Sequence, residues 1–329
     1  MMPLPKISLV TPSFNQGAYI EQTICSVLDQ QYPDLEYMII DGGSSDESVD
    51  IIRKYAKYLK YWVSEPDEGQ SHALNKGISR CTGDVFNWIN ADDYYEPQAL
   101  WRVGQYFEDP RIEVLAGRSR SFDAQGSSVI NAPSALYEDN LAKTIGWARI
   151  DQPATFFRRS VVEQLGNLDT RLHYLMDRDW WIRYLLRNST QNIQVVDELL
   201  VHFRLHERSK TVAQSSKFLA ESHTYFAGLA QHYGIQDIQH FFEKMGIVPL
   251  QPMPVLPAFP QHLVKKALHY YLLLIGLDGY VQFDKSQTVL FLNAVDPNQL
   301  ADEDRNLWQK VLWRNRWLPN WLIKLGRRS

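Results

Sequence analysis

Short apolar runs alternate with helix-like segments over residues 5–100 of this 329-residue chain. Runs that begin near Ile7, Glu36, Tyr61 and Val85 have the length and residue types of strands, and the segments between them place apolar residues at helical spacing. This alternation predicts an α/β fold with a mostly parallel central sheet flanked by helices. In such a sheet the carboxyl ends of the strands share one edge, where ligands bind.

Carboxylates follow three of these predicted strands. Asp41 follows the second strand, Asp67 follows the third, and Asp92 and Asp93 follow the fourth. Because the strand ends share an edge, we expect these side chains to converge. An Asp-Asp pair is also typical of a loop start or a helix cap, but converging carboxylates can hold a hard divalent cation, which in turn can hold a diphosphate.

The loops exclude the common glycine-rich nucleotide sites. The first strand is followed by Pro-Ser-Phe-Asn-Gln-Gly at 12–17, without Gly-x-Gly-x-x-Gly, and Gly-x-x-x-x-Gly-Lys-Ser/Thr is absent from the sequence. Phosphate is therefore not held mainly by a glycine loop at a helix N-terminus. A metal ion bound to acidic residues is the remaining economical way to neutralise a diphosphate.

Composition narrows the class of protein further. The net charge of −4 gives no general attraction to nucleic acid, and the two cysteines, Cys25 and Cys81, lack metal or redox spacing. The N-terminus lacks the apolar core of a signal peptide, and no apolar run reaches the roughly 18 residues of a membrane span. We therefore expect a cytoplasmic protein with reduced thiols.

Six short motifs follow one another in order: Thr-Pro-Ser-Phe-Asn-Gln-Gly at 11–17, Ser-Val-Leu-Asp-Gln-Gln at 26–31, Asp-Gly-Gly-Ser-Ser-Asp at 41–46, Glu-Pro-Asp-Glu-Gly-Gln at 65–70, Asn-Lys-Gly at 75–77 and Asn-Ala-Asp-Asp at 90–93. Together they resemble family 2 of the inverting glycosyltransferases, which have the GT-A fold. The resemblance is dense over 5–100 and continues thinly to about 211, through 152–159, 176–181 and 203–206. It implies metal-dependent transfer of a sugar from a nucleotide-diphosphate donor, expected to be a UDP-sugar, to a glycan or lipid-linked acceptor in polysaccharide or cell-surface glycan synthesis.

The resemblance also implies roles for individual residues. It places Phe14 against the nucleotide base, Asp41 on the base edge and Asp67 near the nucleoside. An aromatic face suits base stacking, and a carboxylate can accept a uracil N–H. The implied nucleotide-sugar-binding residues are Pro12, Phe14, Asn15, Asp41, Asp67, Gln70, Asp92 and Arg204.

A divalent metal, Mn²⁺ or Mg²⁺, is implied as the cofactor. The resemblance places Asp92 toward the ribose and the metal, and Asp93 as the main metal ligand. His206 is a candidate third ligand, with a structural or surface histidine as the alternative. Arg204 and Lys210 are candidates for contacts with diphosphate oxygens, as opposed to solvated charges.

One residue departs from the family pattern. His72 stands where relatives commonly have Asp, in the Gly-Gln-x-Asp-Ala segment. It is either a helix-surface histidine or a changed contact with the donor sugar.

Inverting transfer requires a general base that takes the proton of the acceptor hydroxyl. Asp177 and Asp179, at the start of a predicted helix, are the candidate catalytic residues, and the resemblance aligns the family's base best with Asp177. Alternatively, these carboxylates cap the helix or pair with Arg178 or Arg183.

The chain is expected to comprise a catalytic domain at 1–215 (a nucleotide-sugar half at 1–100 and an acceptor half at 101–215), a helical segment at 216–248, a Pro-rich linker at 249–260 and a helical extension at 261–329. Residues 305–329 carry seven Lys or Arg and no acid, with tryptophans at 308, 313, 317 and 321. Such a segment suits peripheral contact with the cytoplasmic face of a membrane, or it packs its tryptophans onto the catalytic domain.

Two other functions were weighed. A nucleotidyltransferase would carry a Gly-rich loop with Arg or Lys after the first strand, which residues 12–17 lack. A non-catalytic glycan-binding or scaffold protein would be free to lose Asp92, Asp93 and Asp177, and all three are present.

Overall fold

A computed structural model describes residues 4–137, 139–207 and 209–319. The described residues divide into two compact units, one drawn from Met1–Ala135 and Arg149–Leu219, the other from Leu136–Ala148 and Ala220–Ser329. Residues 136–148, expected within the acceptor half, thus group with the C-terminal helices. The expected functional boundaries stay predictions.

The secondary structure alternates strands and helices through the first unit and is helical beyond it. The strands are β1 (Ile7–Ser13), β2 (Leu35–Asp41), β3 (Tyr61–Ser64), β4 (Val85–Trp88), β5 (Tyr94–Tyr95), β6 (Val114–Asp123), β7 (Ser128–Ile130), β8 (Thr155–Arg158) and β9 (Ile193–Leu205). The α-helices are α1 (Ile20–Leu28), α2 (Ser48–Tyr55), α3 (Gln70–Ile78), α4 (Ala99–Tyr106), α5 (Leu141–Trp147), α6 (Arg159–Leu165), α7 (Met176–Asn188), α8 (Lys210–Ala213), α9 (Ser215–His232), α10 (Gln236–Lys244), α11 (Gln261–Val281), α12 (Lys285–Asn293) and α13 (Asp302–Trp317). Short 3-10 helices cover Ala56–Tyr58, Gln152–Ala154 and Pro297–Gln299.

The first unit is built on one mixed sheet with the strand order β3-β2-β1-β4-β8-β6-β9-β5, and β7 pairs with β6. Neighbours from β3 to β4 are parallel, as the sequence predicts, whereas β8 runs antiparallel to both β4 and β6. All seven residues of β1 are buried, which is typical of a central parallel strand covered on both faces.

Strand β9 is long. It begins at Ile193 and continues through His202 to Leu205. The strand pairs in parallel with β6 as far as Asp123, and it pairs with β5 through Tyr94 and His202. The edge of the sheet therefore carries residues 202–205 directly to the carboxyl end of β4.

The second unit is helical. Helix α5 is tied to it by hydrogen bonds from Asn140 Nδ2 to the Tyr270 hydroxyl (2.8 Å) and from Lys143 Nζ to Asp304 Oδ1 (2.7 Å). Residues 249–260 contain no helix or strand. Among the described residues, no helix combines the length and apolar character needed to span a bilayer.

The tryptophans of α13 differ in their surroundings. Trp308 donates its indole N–H to the Leu292 carbonyl oxygen (2.8 Å) of α12, whereas Trp313 and Trp317 are 59% and 64% exposed. Trp321 lies outside the described residues. One tryptophan thus packs within the unit, and two face solvent.

Candidate active site

A cleft of about 1090 Å³ opens at the carboxyl ends of the parallel strands in the first unit. This volume is at the upper end of the roughly 300–1,000 Å³ of small-molecule sites, which suits a large ligand. The predicted site residues that line the cleft are Pro12, Phe14, Asp67, Gln70, Asp92 and Asp177. Those that do not line it are Asn15, Asp41, Asp93, Asp179, Arg204 and His206.

The loop after β1 presents an aromatic face to this cleft. Phe14 is 60% exposed although it follows a fully buried strand. The next residue, Asn15, has a left-handed backbone (φ 51°), and its Oδ1 accepts a hydrogen bond from the Ser45 backbone N–H (2.9 Å). Asn15 therefore fixes the loop conformation that leaves Phe14 exposed.

The carboxylate of Asp41 does not line the cleft. It is fully buried and accepts hydrogen bonds from the backbone N–H groups of Gly43 (3.1 Å) and Ser44 (2.9 Å) and from Ser64 Oγ (2.7 Å). These bonds hold the loop after β2. The contact between Asp41 and the base edge stays a prediction.

Asp67, unlike Asp41, lines the cleft, as does its neighbour Glu68. Oδ1 of Asp67 accepts a hydrogen bond from the Gly69 backbone N–H (2.7 Å). A Cβ atom at Gly42 would lie 2.7 Å from Asp67 Oδ2, so the glycine permits this close approach. Loop β2–α2 and Asp67 thus share one side of the cleft.

The two carboxylates after β4 face different surroundings. Asp92 lines the cleft, whereas Asp93 is 1% exposed and accepts a hydrogen bond from the Arg204 backbone N–H at Oδ1 (2.9 Å). Burial and the neighbouring Asp92 raise the pKa of the Asp93 carboxyl well above its usual value. The geometry therefore favours Asp92, not Asp93, as the carboxylate that meets a ligand.

Asp92 and His206 form a pair of potential metal ligands. Nε2 of His206 lies 2.9 Å from Oδ2 of Asp92. One cation could contact both atoms if the two side chains moved slightly apart. In the described ranges, no group of three or more His, Cys, Asp or Glu side chains is arranged to hold a metal. The pair fits a cation that completes its coordination with phosphate oxygens and water, and the imidazole favours Mn²⁺ over Mg²⁺.

Arg204 is not among the residues that line the cleft, and its contact with diphosphate stays a prediction. Its Nε donates to the Asp92 carbonyl oxygen (3.0 Å), and Nη2 donates to Gln22 Oε1 (2.5 Å). Lys210 is the cation of this segment that lines the cleft, and its Nζ donates to Gln70 Oε1 (2.9 Å) and to the His173 carbonyl oxygen (2.9 Å).

The two candidate bases are separated by the geometry of α7. Asp177, in the first turn, lines the cleft. Asp179 is fully buried and accepts hydrogen bonds from Nε (2.9 Å) and Nη2 (2.7 Å) of Arg183. Asp179 is therefore one half of a buried ion pair and has no access to a substrate.

His72 is half-buried near the start of α3. Its Nδ1 accepts a hydrogen bond from the Glu68 backbone N–H (3.0 Å), just before α3, and His72 is not among the residues that line the cleft. A changed donor-sugar contact through His72 therefore has no geometric support.

Comparison with known proteins decides the family. The profile of the family described as "Glycosyl transferase family 2" matches residues 8–166. The putative teichuronic acid biosynthesis glycosyltransferase TuaG of Bacillus subtilis is 30% identical over 240 residues, which cover 68% of this chain and 86% of TuaG. The chain is a family 2 glycosyltransferase.

Other relatives and solved structures agree. An uncharacterized glycosyltransferase of Nostoc sp. is 24% identical, with 64% of this chain and 68% of the relative covered. The crystal structure of residues 1–349 of S. aureus TarS matches with a TM-score of 0.60 at 16% identity, covering 94% of this chain and 88% of that one. The expected GT-A fold of this glycosyltransferase is confirmed.

The far wall of the cleft contains residues that the sequence did not single out. Ser119, Asn131, Arg149 and Asp151 line it, on β6 and in the loops before the 3-10 helix Gln152–Ala154. Only the Gln-Pro that follows Asp151 belonged to a recognised motif. A lone carboxylate before a strand is usually a turn residue, so the sequence carried no signal for its place in the cleft.

Asp151 is expected to reduce the stability of the glycosyltransferase at neutral pH. Burial raises the pKa of its carboxyl to about 6. The pKa of Asp151 is higher in the folded than in the unfolded protein, so the folded state holds this proton more tightly. Proton binding at Asp151 therefore supports folding fully below about pH 4, and this support is lost as the pH rises through about 6. We predict that Asp151→Asn stabilises the protein by about 1–2 kcal/mol more at pH 8 than at pH 4.5, measured by urea unfolding.

Asp50→Asn is the matched control, because Asp50 is exposed on α2 and its ion pair with Arg53 is exposed as well. An equal effect of Asp151→Asn at the two pH values would contradict the prediction.

Proposed function

We propose that this glycosyltransferase transfers a sugar with inversion from a UDP-sugar to a hydroxyl of a glycan or lipid-linked acceptor. Asp92 and His206 would hold the divalent cation, and Asp177 would be the general base. The observation that carries the proposal is one cleft lined by Asp67, Asp92 and Asp177, with the imidazole of His206 2.9 Å from the Asp92 carboxylate.

The cation, when bound, stabilises the negative charge of the departing diphosphate. On the protein side, Asp92 and His206 keep one carboxylate oxygen and one imidazole nitrogen next to the leaving group. Lys210 adds a positive charge on the same side, where its ammonium can donate to a phosphate oxygen.

Asp177 acts on the acceptor. As the acceptor oxygen attacks the anomeric carbon, the hydroxyl proton moves to an Asp177 carboxylate oxygen and the bond to the diphosphate breaks. Attack from the face opposite the leaving group inverts the configuration at that carbon. The start of α7 suits this role because its first turn places Asp177 in the cleft.

The nucleotide would stack on Phe14, the exposed aromatic side chain at the end of β1. Asp67 replaces Asp41 as the carboxylate proposed near the base and nucleoside, since Asp67 lines the cleft and Asp41 is buried. A carboxylate that accepts a ring N–H suits uracil, which supports a UDP-sugar.

Related proteins support the substrate class. TarS has been crystallised with UDP and with UDP-GlcNAc, and the mannosyltransferase PcManGT of Pyrobaculum calidifontis, which matches with a TM-score of 0.51 at 15% identity, with GDP-Man and Mn²⁺. TuaG is named for teichuronic acid biosynthesis. These names support a nucleotide-sugar donor, a divalent cation and a polysaccharide acceptor for this chain.

Contact with the cytoplasmic face of a membrane is proposed for α13. Trp313 and Trp317 are exposed on a helix whose last turn carries Arg314 and Arg316. Exposed tryptophan beside arginine suits the interface of an anionic bilayer.

The first prediction from the proposed function concerns the metal ligand. Calorimetry should detect UDP binding that requires Mn²⁺ and that Asp92→Asn weakens by more than about tenfold, because a coordinating carboxylate is lost. Asp93→Asn should weaken it by about threefold or less, because the amide oxygen can still accept from the Arg204 backbone N–H.

Equal losses in the two variants would return the metal-binding role to Asp93. Preference for GDP would keep the enzyme class and change the donor. Absence of binding of either nucleotide to the folded protein would refute the proposed donor site.

The second prediction separates the two aspartates of α7. Asp177→Asn should slow UDP release from UDP-sugars by about 10²–10⁴-fold while nucleotide binding and thermal unfolding are unchanged, because only the base is lost. Asp179→Asn should instead destabilise the protein, by about 3–5 kcal/mol, since buried Arg183 loses its partner. The opposite assignment of the two effects would rule out Asp177 as the base.

The third prediction concerns the membrane. The protein should sediment with vesicles that contain anionic phospholipid, and Trp313→Ala with Trp317→Ala should release it, because both indoles would leave the interface. Tyr58→Ala, which removes an exposed aromatic side chain of the first unit, is the control. Unchanged sedimentation of the double variant would argue against the contact.

A further inference from the structure

The far wall of the cleft contains a chain of hydrogen bonds that leads to Asp151. Asn131 Nδ2 donates to Ser119 Oγ (2.8 Å) and to Ser121 Oγ (2.7 Å). Ser119 in turn donates to Asp151 Oδ1 from its hydroxyl (3.0 Å) and to Oδ2 from its backbone N–H (3.0 Å). All four residues line the cleft, so this chain of bonds is a preformed part of its surface.

These bonds leave hydrogen-bond acceptors on the wall. A carboxylate has about four acceptor positions, and Ser119 occupies two of those of Asp151. The amide of Asn131 uses its N–H groups on the two serines, which orients its oxygen as a further acceptor. The wall therefore presents oxygen lone pairs, which suit a ligand that donates hydrogen bonds.

Asp151 also lacks compensation by a nearby positive charge. Among residues 4–137, 139–207 and 209–319, no Lys, Arg or His nitrogen forms a salt bridge with it within 4.0 Å. Arg149 lines the same cleft and lowers the pKa of Asp151 only through a longer-range charge interaction. A partly buried carboxylate without a cation is costly unless a ligand completes its hydrogen bonds.

We propose that Asp151 and Asn131 form an acceptor subsite that binds two neighbouring hydroxyl groups of a neutral sugar residue. The inference rests on the proposed function, because it takes the opposite wall, with Phe14 and Asp67, as the donor side. The hydroxyl that reacts at Asp177 belongs to the same acceptor, and the hydroxyls at Asp151 and Asn131 fix its orientation.

The chemistry of the wall selects against an anionic group at this position. A phosphate or uronate placed between the Asp151 carboxylate and the Asn131 amide oxygen would meet a like charge and two acceptors. The donor of this wall, Arg149, forms no ion pair with Asp151 and lies outside the proposed pair. Sugar hydroxyls donate to the same oxygens without repulsion. The subsite is therefore assigned to unsubstituted hydroxyls, and any charged group of the acceptor lies outside it.

Binding of simple sugars tests the subsite without a knowledge of the natural acceptor. The probes are the methyl glycosides of glucose, galactose and N-acetylglucosamine, their monodeoxy analogues and methyl glucuronide. Saturation-transfer NMR is recorded with the full chain in the presence of UDP and Mn²⁺. Wild-type protein should bind at least one neutral glycoside, and removal of one hydroxyl from that glycoside should weaken binding by roughly tenfold or more.

Asp151→Asn should weaken binding of the complete glycoside by a similar factor of roughly ten. This variant should bind the glycoside and its deoxy analogue equally well. Asn131→Ala should show a smaller difference in binding between the complete glycoside and the analogue that lacks the neighbouring hydroxyl. Asp50→Asn, on exposed α2, should bind like the wild type. Calorimetry with UDP should give the same affinity for all these variants, which shows that they are folded and that the donor side is intact.

Several results would overturn the subsite. They are no binding of any neutral glycoside by the wild type, equal binding by Asp151→Asn, or tighter binding of methyl glucuronide that Arg149→Ala abolishes. Calorimetry distinguishes these results from failure of the proposed function. If the proposed function is wrong, the wild type does not bind UDP, irrespective of glycoside binding.

Discussion

The hydrogen bond from the Arg204 backbone N–H to buried Asp93 joins the turn after β4 to the last residues of β9. Arg204 Nε reinforces it by donating to the Asp92 carbonyl oxygen. Because these bonds fix both segments, the side chains of Asp92 and His206 lie side by side. A carboxyl group this deeply buried requires such hydrogen-bond partners. The role of Asp93 is therefore to position Asp92.

The parallel half of the sheet was predictable because each strand is a compact apolar run followed by a polar loop. The second half was not. Strand β5 has only two residues, and β9 continues through the polar residues His202 and Arg204. Both segments are strands because β5 pairs with β9 and β9 also pairs with β6. Tertiary pairing of this kind leaves no periodic signal in a single sequence.

Sequence placed the candidate site in the correct neighbourhood but could not give side-chain directions. Asp177 and Asp179 are two positions apart on α7, and roughly 100° per residue turns them to nearly opposite faces. One consequently reaches the cleft and the other reaches Arg183 in the interior. The same limit applies to Asp92 and Asp93, because adjacent residues of a turn diverge and only the partners in the fold decide which carboxylate is buried.

The carboxylates of the first unit differ in whether the protein itself supplies their hydrogen-bond or ion-pair partners. Asp41 is satisfied by backbone N–H groups and hydroxyls, Asp93 by the Arg204 backbone, and Asp179 by Arg183. None of these three lines the cleft. Asp151 lines it with a pKa raised to about 6 by burial, and the charge of Arg149 offsets that rise only in part. The fold supplies partners for its structural carboxylates but only in part for Asp151. The resulting stability cost lies in the cleft, where a substrate can supply the missing hydrogen bonds.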